Sequence, residues 1–379
     1  MNWEQARNVL CVRLDSLGDV LMTTPAIRAL RESVAGRRIT LLTSPSGAKA
    51  ARLVPEIDAV VEFRAPWMKP ATEGPAADAV MKRRLAHGKY DAAVIFSVYS
   101  QNPLPAAYLC YLAGIPLRLA HCHENPYHLL THWVADPEPA NVSRHEVRRQ
   151  LDLVESVGSR TNNERLSMAV PKPAKARARR LLHALGITLR KPLVLVHPGA
   201  TAASRRYPPA QFAQAMSILG RRIDCEIVFT GGAEEKPLIE GIRLGMDVPS
   251  HSAAGLMELG ELGAAIECAD VMVSNNTGPV HMAAALGTPV VDLYALTNPQ
   301  HTPWQVANKV LFHDVACRNC YKSSCPLGHH DCLRRVQPET VAAAALELLG
   351  SRPSLRFRAT GRSRVAGLIP AFNTIAAGQ

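Results

Sequence analysis

Residues 9–32 read VLCVRLDSLGDVLMTTPAIRALRE. A short apolar run (Val9–Val12) meets a glycine-containing turn, Asp15-Ser-Leu-Gly-Asp19, and an amphipathic stretch follows. That order is strand, turn, helix. Ile39–Thr43 supplies a second strand after the basic turn Gly36-Arg37-Arg38, and Ala59–Phe63 and Tyr90–Phe96 supply two more. Short apolar strands alternating with helical segments indicate a parallel sheet covered on both faces. The stretch VPKPAKARARRLLHALG (170–186) then changes character and reads as an interdomain linker running into a helix. Beyond it the same logic returns, with strands Pro192–His197, Cys225–Thr230, Val271–Ser274 and Pro289–Leu293. Helices are expected over Gln211–Leu219 and 260–268, and a turn-helix at NNTGPVHMAAALG. The expected architecture is two doubly wound α/β domains in tandem, over residues 1–172 and 173–350, with a basic tail at 351–379.

The chain has 379 residues, 47% hydrophobic, 20% charged and 5% aromatic. This excludes a disordered or fibrous protein. Its formal net charge is +11, from 43 Lys and Arg against 32 Asp and Glu. The 29-residue tail alone carries five Arg and no acid, so the body is only mildly basic. Nucleic-acid binding would need basic residues interleaved with aromatics along a groove, and that pattern is missing. No apolar run is long enough to span a membrane, and MNWEQARNVL has no apolar signal core, so a cytoplasmic protein is expected. Of the nine cysteines, Cys11, Cys110, Cys225 and Cys268 lie in apolar runs and read as small core residues in a reducing compartment.

In doubly wound sheets ligands bind beyond the carboxyl ends of the strands, so chemistry is sought in the turns. In the first turn an Asp near a helix start is favoured as the anion, and it can either cap the helix or serve as a general base. In the second, HPGATAASRRYP, the pair Arg205-Arg206 suits phosphate oxygens in fork geometry, although a solvated loop would look the same. The third, Ser274-Asn-Asn-Thr-Gly-Pro-Val-His281, sets small polar residues and glycine at a helix start, where free N–H groups and the helix dipole favour a diphosphate. Neither GxxxxGK[ST] nor an opening GxGxxG is present, which argues against a P-loop enzyme and a nicotinamide dehydrogenase.

Taken in order over roughly residues 9–345, DSLGDVLMTTPAI, HPGA…RRYP, TGGAEE, SNNTGPVHMAAALGTPVV and CRNCYKSSCPLGHHDC resemble glycosyltransferase family 9, the lipopolysaccharide heptosyltransferases. The resemblance implies a GT-B fold, with acceptor on the N-terminal domain and nucleotide-sugar on the C-terminal one. It further implies inverting transfer of heptose from ADP-heptose to an anionic glycolipid acceptor, with no cofactor or metal required. Asp19 then matches the proposed general base, and Arg205 a family Lys beside the donor phosphates. Thr201 matches a phosphate-contacting Thr, with Arg206 beside it; Thr277, Gly278 and His281 match the helix-start phosphate site. Met257 aligns near the adenine, and Glu235, or Glu234 one residue away, with the acid that bonds the ribose. Three positions depart from the family: Asn276 for an Asp, Arg205 for Lys and Tyr207 for Trp. The first removes a carboxylate near the donor sugar, which opens a different nucleotide-sugar or a non-catalytic nucleotide-binding relative as alternatives. A GT-B epimerase is a further alternative, but no acid–base pair at matching spacing stands out for it.

Three further features carry expectations. Arg118, His121, His123, His128 and Arg144 fall in or after the segment Tyr99–His132, where the family binds acceptor, and are candidates for an anionic acceptor. Cys317, Cys320, Cys325 and Cys332, with His329 and His330 among them, have spacing that suits tetrahedral Zn²⁺ or iron, or a redox-labile pair. A similar segment occurs in family members without metal, so no metal is expected. The tail pairs its arginines with VAGLIPAF and could rest on an anionic membrane surface or lie solvated.

Overall fold

The structure, a computed structural model, describes residues 2–68 and 74–350; the tail, and with it the membrane-surface expectation, lies outside the described residues. The first half contributes strands β1 (Asn8–Arg13), β2 (Arg38–Thr43), β3 (Ala59–Glu62), β4 (Ala92–Ile95), β5 (Leu117–Cys122) and β6 (His132–Ala135). The second contributes β7 (Leu193–His197), β8 (Glu226–Phe229), β9 (His251–Ser252), β10 (Val271–Asn275), β11 (Val290–Leu293) and β12 (Asn308–Leu311). The two six-stranded sheets have orders β3-β2-β1-β4-β5-β6 and β12-β11-β10-β7-β8-β9, and every pairing is parallel. Counted from β7, the second sheet repeats the order of the first. Each has a switch point, between β1 and β4 and between β7 and β10, where the chain leaves toward opposite sides and opens a crevice. All three turns singled out in the sequence follow strands at these switch points.

Burial explains the composition of the strands. β4 and β7 are apolar and buried throughout, apart from the terminal His197, because helices cover both sheet faces. The helices run over Leu17–Ser33, Lys172–Ala184, Pro209–Arg222, Leu259–Cys268 and Gly278–Leu286, close to the expected positions. Gly287, at φ +75°, ends the last of these in the left-handed conformation that glycine takes without strain. The apparent linker at 170–186 is mostly a helix whose Ala174, Ala178 and Leu182 are buried. Its basic residues flank that buried face, Lys175 pairing with Glu267 and Arg177 with Glu261, and with two prolines they give it the look of a linker.

The halves do not meet only across a cleft. Val20, Leu21 and Met22 of the first half and Val280, Met282 and Ala283 of the second belong to one buried apolar cluster. Here the helices Leu17–Ser33 and Gly278–Leu286 pack together with their N-termini close. A Cβ on Gly18 would stand 2.7 Å from His281 Cδ2, and one on Gly278 would stand 2.9 Å from Leu17 Cδ2. Both contacts are closer than carbon atoms tolerate; the tip of Leu17 can turn aside, but the buried His281 ring cannot, so glycine at position 18 sets the separation of the two helix starts.

Candidate active site

The first turn is organised by Arg13, the last residue of β1, which is fully buried. Its guanidinium forms ion pairs with Asp15 (2.9 Å), Asp19 (3.3 Å) and Glu146 (2.7 Å). Burial opposes the charge on Arg13, but the three carboxylates outweigh it and raise its pKa. Asp19 occupies the third position of its helix, where Oδ2 accepts hydrogen bonds from the Ser16 amide (3.0 Å) and hydroxyl (2.6 Å). It therefore does cap the helix, while still lining the space beyond. Burial pushes its carboxyl upward, yet Arg13, His301 and the Ser16 bonds hold it at about 2. Asp15, bonded to Gln101, is pushed by burial up to about 6 against the pull of Arg13. Of two acids four residues apart, one stays ionised and the other titrates near neutrality.

The second turn is tied down from below. Asn275 donates to the Pro198 carbonyl (2.6 Å) and accepts from the Tyr207 amide (3.0 Å), bracketing the loop between them. Tyr207 is buried and its hydroxyl donates to the Val336 carbonyl (2.8 Å), while Ser204 donates to the Lys322 carbonyl (2.7 Å). These anchors fix Arg205 at the end of a short 3₁₀ turn. Arg205, Asp19, Asn276, Thr277, Gly278, His281 and His301 line one recess of about 90 Å³. On the first-half side lies a larger cleft of about 790 Å³, walled by Asp15, Asp19, Ser44, Lys49, Arg64 and Arg205. Asp19 and Arg205 border both spaces. Burial lowers the His281 pKa to about 3, with neighbouring His301 adding to the effect. His281 is neutral at pH 7 and adds no charge beside the helix start.

The structure brings these expected residues together and separates others from them. Arg206 donates to the Ala200 carbonyl of its own loop (2.8 Å) and is not on the recess wall. Glu235 accepts from the Gly232 amide (2.8 Å) and reaches over Gly199, at whose Cβ position its carboxylate sits; Glu234 is exposed. Thr201 is exposed in the loop after β7, and Met257 is half-buried against the shared apolar cluster. The expected acceptor residues mostly serve the fold. Arg118 spends its guanidinium on the carbonyls of Ile115, Leu129 (2.7 Å) and His128 (2.7 Å). Arg144 is paired with Glu138 (3.1 Å) and Asp152 (2.8 Å). His121 is buried, with Nε2 3.0 Å from the Arg149 carbonyl. His123 borders a separate small recess with Nε2 2.9 Å from the Tyr99 carbonyl, and His128 is exposed. None of these residues lines the larger cleft, whose wall carries Lys49 and Arg64. The four clustered cysteines are free thiols that line one cavity of about 20 Å³ with His329 and His330. Cys317 Sγ stands 3.6 Å from His329 Nε2, and among the described residues no three His, Cys, Asp or Glu side chains are placed to hold a metal ion.

Sequence reasoning passed over Arg13, Glu146, Asp292 and His301. An Arg inside the apolar run of β1 and an Asp inside PVVDL were visible signals, since a charge in a buried strand needs a partner. Glu146 and His301 gave no such signal. His301 reaches the recess because its loop is strapped to the first half: the Glu146 amide donates to the Gln300 carbonyl (3.0 Å) and Gln300 donates to Glu138 (3.0 Å). Its Nε2 is buried without a hydrogen-bond partner among the described residues, and burial lowers its pKa against the pull of Asp19.

Comparison with known proteins places this geometry in context. A family model described as glycosyltransferase family 9 (heptosyltransferase) matches residues 79–330. The lipooligosaccharide heptosyltransferase 2 of Campylobacter jejuni is 29% identical over 164 residues, which is 42% of this chain and 51% of that protein, about half its length. Among solved structures, a family 9 glycosyl transferase from Veillonella parvula superposes with a TM-score of 0.76 at 22% identity, covering 93% of this chain and 99% of its own. The ADP-heptose lipopolysaccharide heptosyltransferase II of Escherichia coli superposes with a TM-score of 0.71 at 20% identity, covering 90% and 98%. These two share the fold of two facing parallel sheets, the GT-B fold.

Proposed function

Since the chain belongs to glycosyltransferase family 9, we propose that it moves a heptose from ADP-heptose onto the inner sugars of a lipopolysaccharide or lipooligosaccharide, with inversion and without a metal ion. The observation that carries this reading is the recess in which Asp19 faces Arg205 and the start of the helix Gly278–Leu286. A diphosphate at that helix start is held by free backbone N–H groups and the positive end of the helix dipole. Arg205 adds a full positive charge where negative charge grows as the diphosphate departs. Together they supply the neutralisation that a divalent cation provides in other transferases. Donor binding by the second half would use Thr201, Glu235 and Met257 for the rest of the nucleotide.

The acceptor enters through the larger cleft, whose Lys49 and Arg64 suit an anionic glycolipid. Its hydroxyl oxygen attacks the anomeric carbon from the face opposite the diphosphate, forming the new glycosidic bond as the bond to phosphate breaks. Asp19 takes the hydroxyl proton, and ADP leaves with the bonding pair. A base held near 2 is ionised at every working pH. It accepts the proton only after bond formation has made the acceptor hydroxyl strongly acidic. Asp15, Arg13 and Glu146 hold this carboxylate in place. Names of relatives carry the heptose and the glycolipid into this reading: a lipooligosaccharide heptosyltransferase in one case and an ADP-heptose enzyme in another.

A second reading, transfer from a different nucleotide-sugar, is favoured by Asn276, an amide where the family carries an acid. Thermal-shift measurements with ADP, UDP and GDP, followed by mass analysis of the product formed with the matching nucleotide-sugars, separate the two. The proposed function requires stabilisation by ADP above the others and a product heavier by one heptose. Preference for UDP or GDP would establish the second reading.

A further inference from the structure

Asn276 is nearly buried on the recess wall. Its Nδ2 lies 2.8 Å from Asp292 Oδ2 and 2.9 Å from the backbone carbonyl of His301. A carbonyl oxygen only accepts, so nitrogen and not oxygen faces it, and the amide orientation is settled by the fold. Both N–H groups of the amide are then used, and Oδ1 is the one polar atom of the side chain left for a ligand. Asp292 comes from β11, in register with Ser274 of β10, and is fully buried. Its other oxygen, Oδ1, has no hydrogen-bond partner among the described residues, and burial pushes its pKa up to about 8. A buried carboxyl with one partner costs stability that an apolar residue in the same strand would not. An acid thus stands one strand away from position 276, behind the amide.

We propose that Asp292 is a positioning residue for the donor sugar: it locks the Asn276 amide so that Oδ1 accepts a hydrogen bond from a sugar hydroxyl. The substrate class this selects is a neutral, hydroxyl-bearing glycosyl group, because the carbonyl oxygen repels a carboxylate at that place. It also leaves the donor diphosphate without an added negative neighbour. The inference rests on the recess holding the donor sugar.

Titration calorimetry of the full chain with ADP and with ADP-heptose tests it. Asp292→Asn weakens the hold on the amide to that of the His301 carbonyl alone, and Asn276→Ala removes the sugar's acceptor together with the one hydrogen-bond partner of the buried acid. Each variant is expected to weaken ADP-heptose about tenfold, the worth of one hydrogen bond, while ADP affinity stays within about twofold. A purely structural role for Asp292 would lower the melting temperature and leave the ratio of the two affinities unchanged. If both variants keep the wild-type ratio, the inference is wrong even though the donor reading stands. Should Asp292→Asn fail to fold, Asp292→Leu, which offers the amide no acceptor at that place, is measured in its stead. A wild-type protein that binds neither ligand overturns the donor reading and this inference with it.

Discussion

Replacing Arg13 by methionine keeps an unbranched buried side chain but removes the one cation that three acids share. In the native protein Asp19 is held at about 2 against 3.8 for the free side chain. At 1.36 kcal/mol per pKa unit, that depression contributes about 2.5 kcal/mol of stability. Because the folded pKa is depressed, the contribution is present above pH 3.8 and lost as pH falls toward 2. Without Arg13 the sign reverses. Asp15, Asp19 and Glu146 would face one another in a buried site; the pKa of Asp19 would rise above its unfolded value and that of Asp15, already at about 6, would climb further. Their burden is then absent only well below the unfolded value of 3.8, where the carboxyls are protonated in either state, and grows as pH rises. Breaking a buried ion pair costs about 3–5 kcal/mol, so Arg13→Met should lose at least that much at pH 7.5 and much less at pH 4. Urea unfolding across that range measures the difference. A loss independent of pH, or one below about 1 kcal/mol at pH 7.5, would refute the view that Arg13 holds Asp19 ionised.

Other outcomes follow from the same geometry. Arg205→Gln should lower kcat about 10²- to 10³-fold, as expected for removing a group that meets developing charge, with the melting temperature unchanged; steady-state kinetics check it. Gly18→Ala should cost about 1–3 kcal/mol through overpacking against the buried His281 ring, read by denaturant unfolding, with activity falling as the helix starts are pushed apart. Burial lowers the pKa of His121, His145 and His197 to about 4 and that of His281 to about 3. These groups favour the folded state when neutral, so stability should fall as pH drops from 6.5 toward 4. Asn substitution of the solvent-remote His197 should flatten that slope in melting experiments.

The two sheets were legible because their central strands hold unbroken apolar runs (Val9–Val12, Ala92–Ile95, Leu193–Val196 and Val271–Val273), three of which lead into glycine-bearing turns. β5 was not, since Arg118 and His121 interrupt its apolar pattern; one satisfies backbone carbonyls and the other is buried against Arg149. β9 and β12 are short or half-buried edge strands that leave little pattern to read. At the site, Asp19, Arg205, Asn276, Thr277, Gly278 and His281 share one recess, and each follows a switch-point strand that a local reading can find. What such a reading cannot tell is where a guanidinium points. Arg205 borders the recess, whereas Arg206, Arg118 and Arg144 are spent on carbonyls or acids of the fold. The partners of Asp19 were hidden for a related reason. Glu146 lies 133 residues from Arg13 in sequence, and His301 arrives on a loop strapped across the two halves.

The central claim is that Asp19 takes the acceptor's proton while Arg205 and the helix start hold the donor diphosphate. Its most direct test pairs turnover with binding for Asp19→Ala, using ADP-heptose and a heptose-deficient lipopolysaccharide acceptor. The account predicts that transfer is abolished while ADP-heptose binds with an affinity close to that of the wild type. Retained turnover, or loss of donor binding in step with loss of transfer, would contradict it.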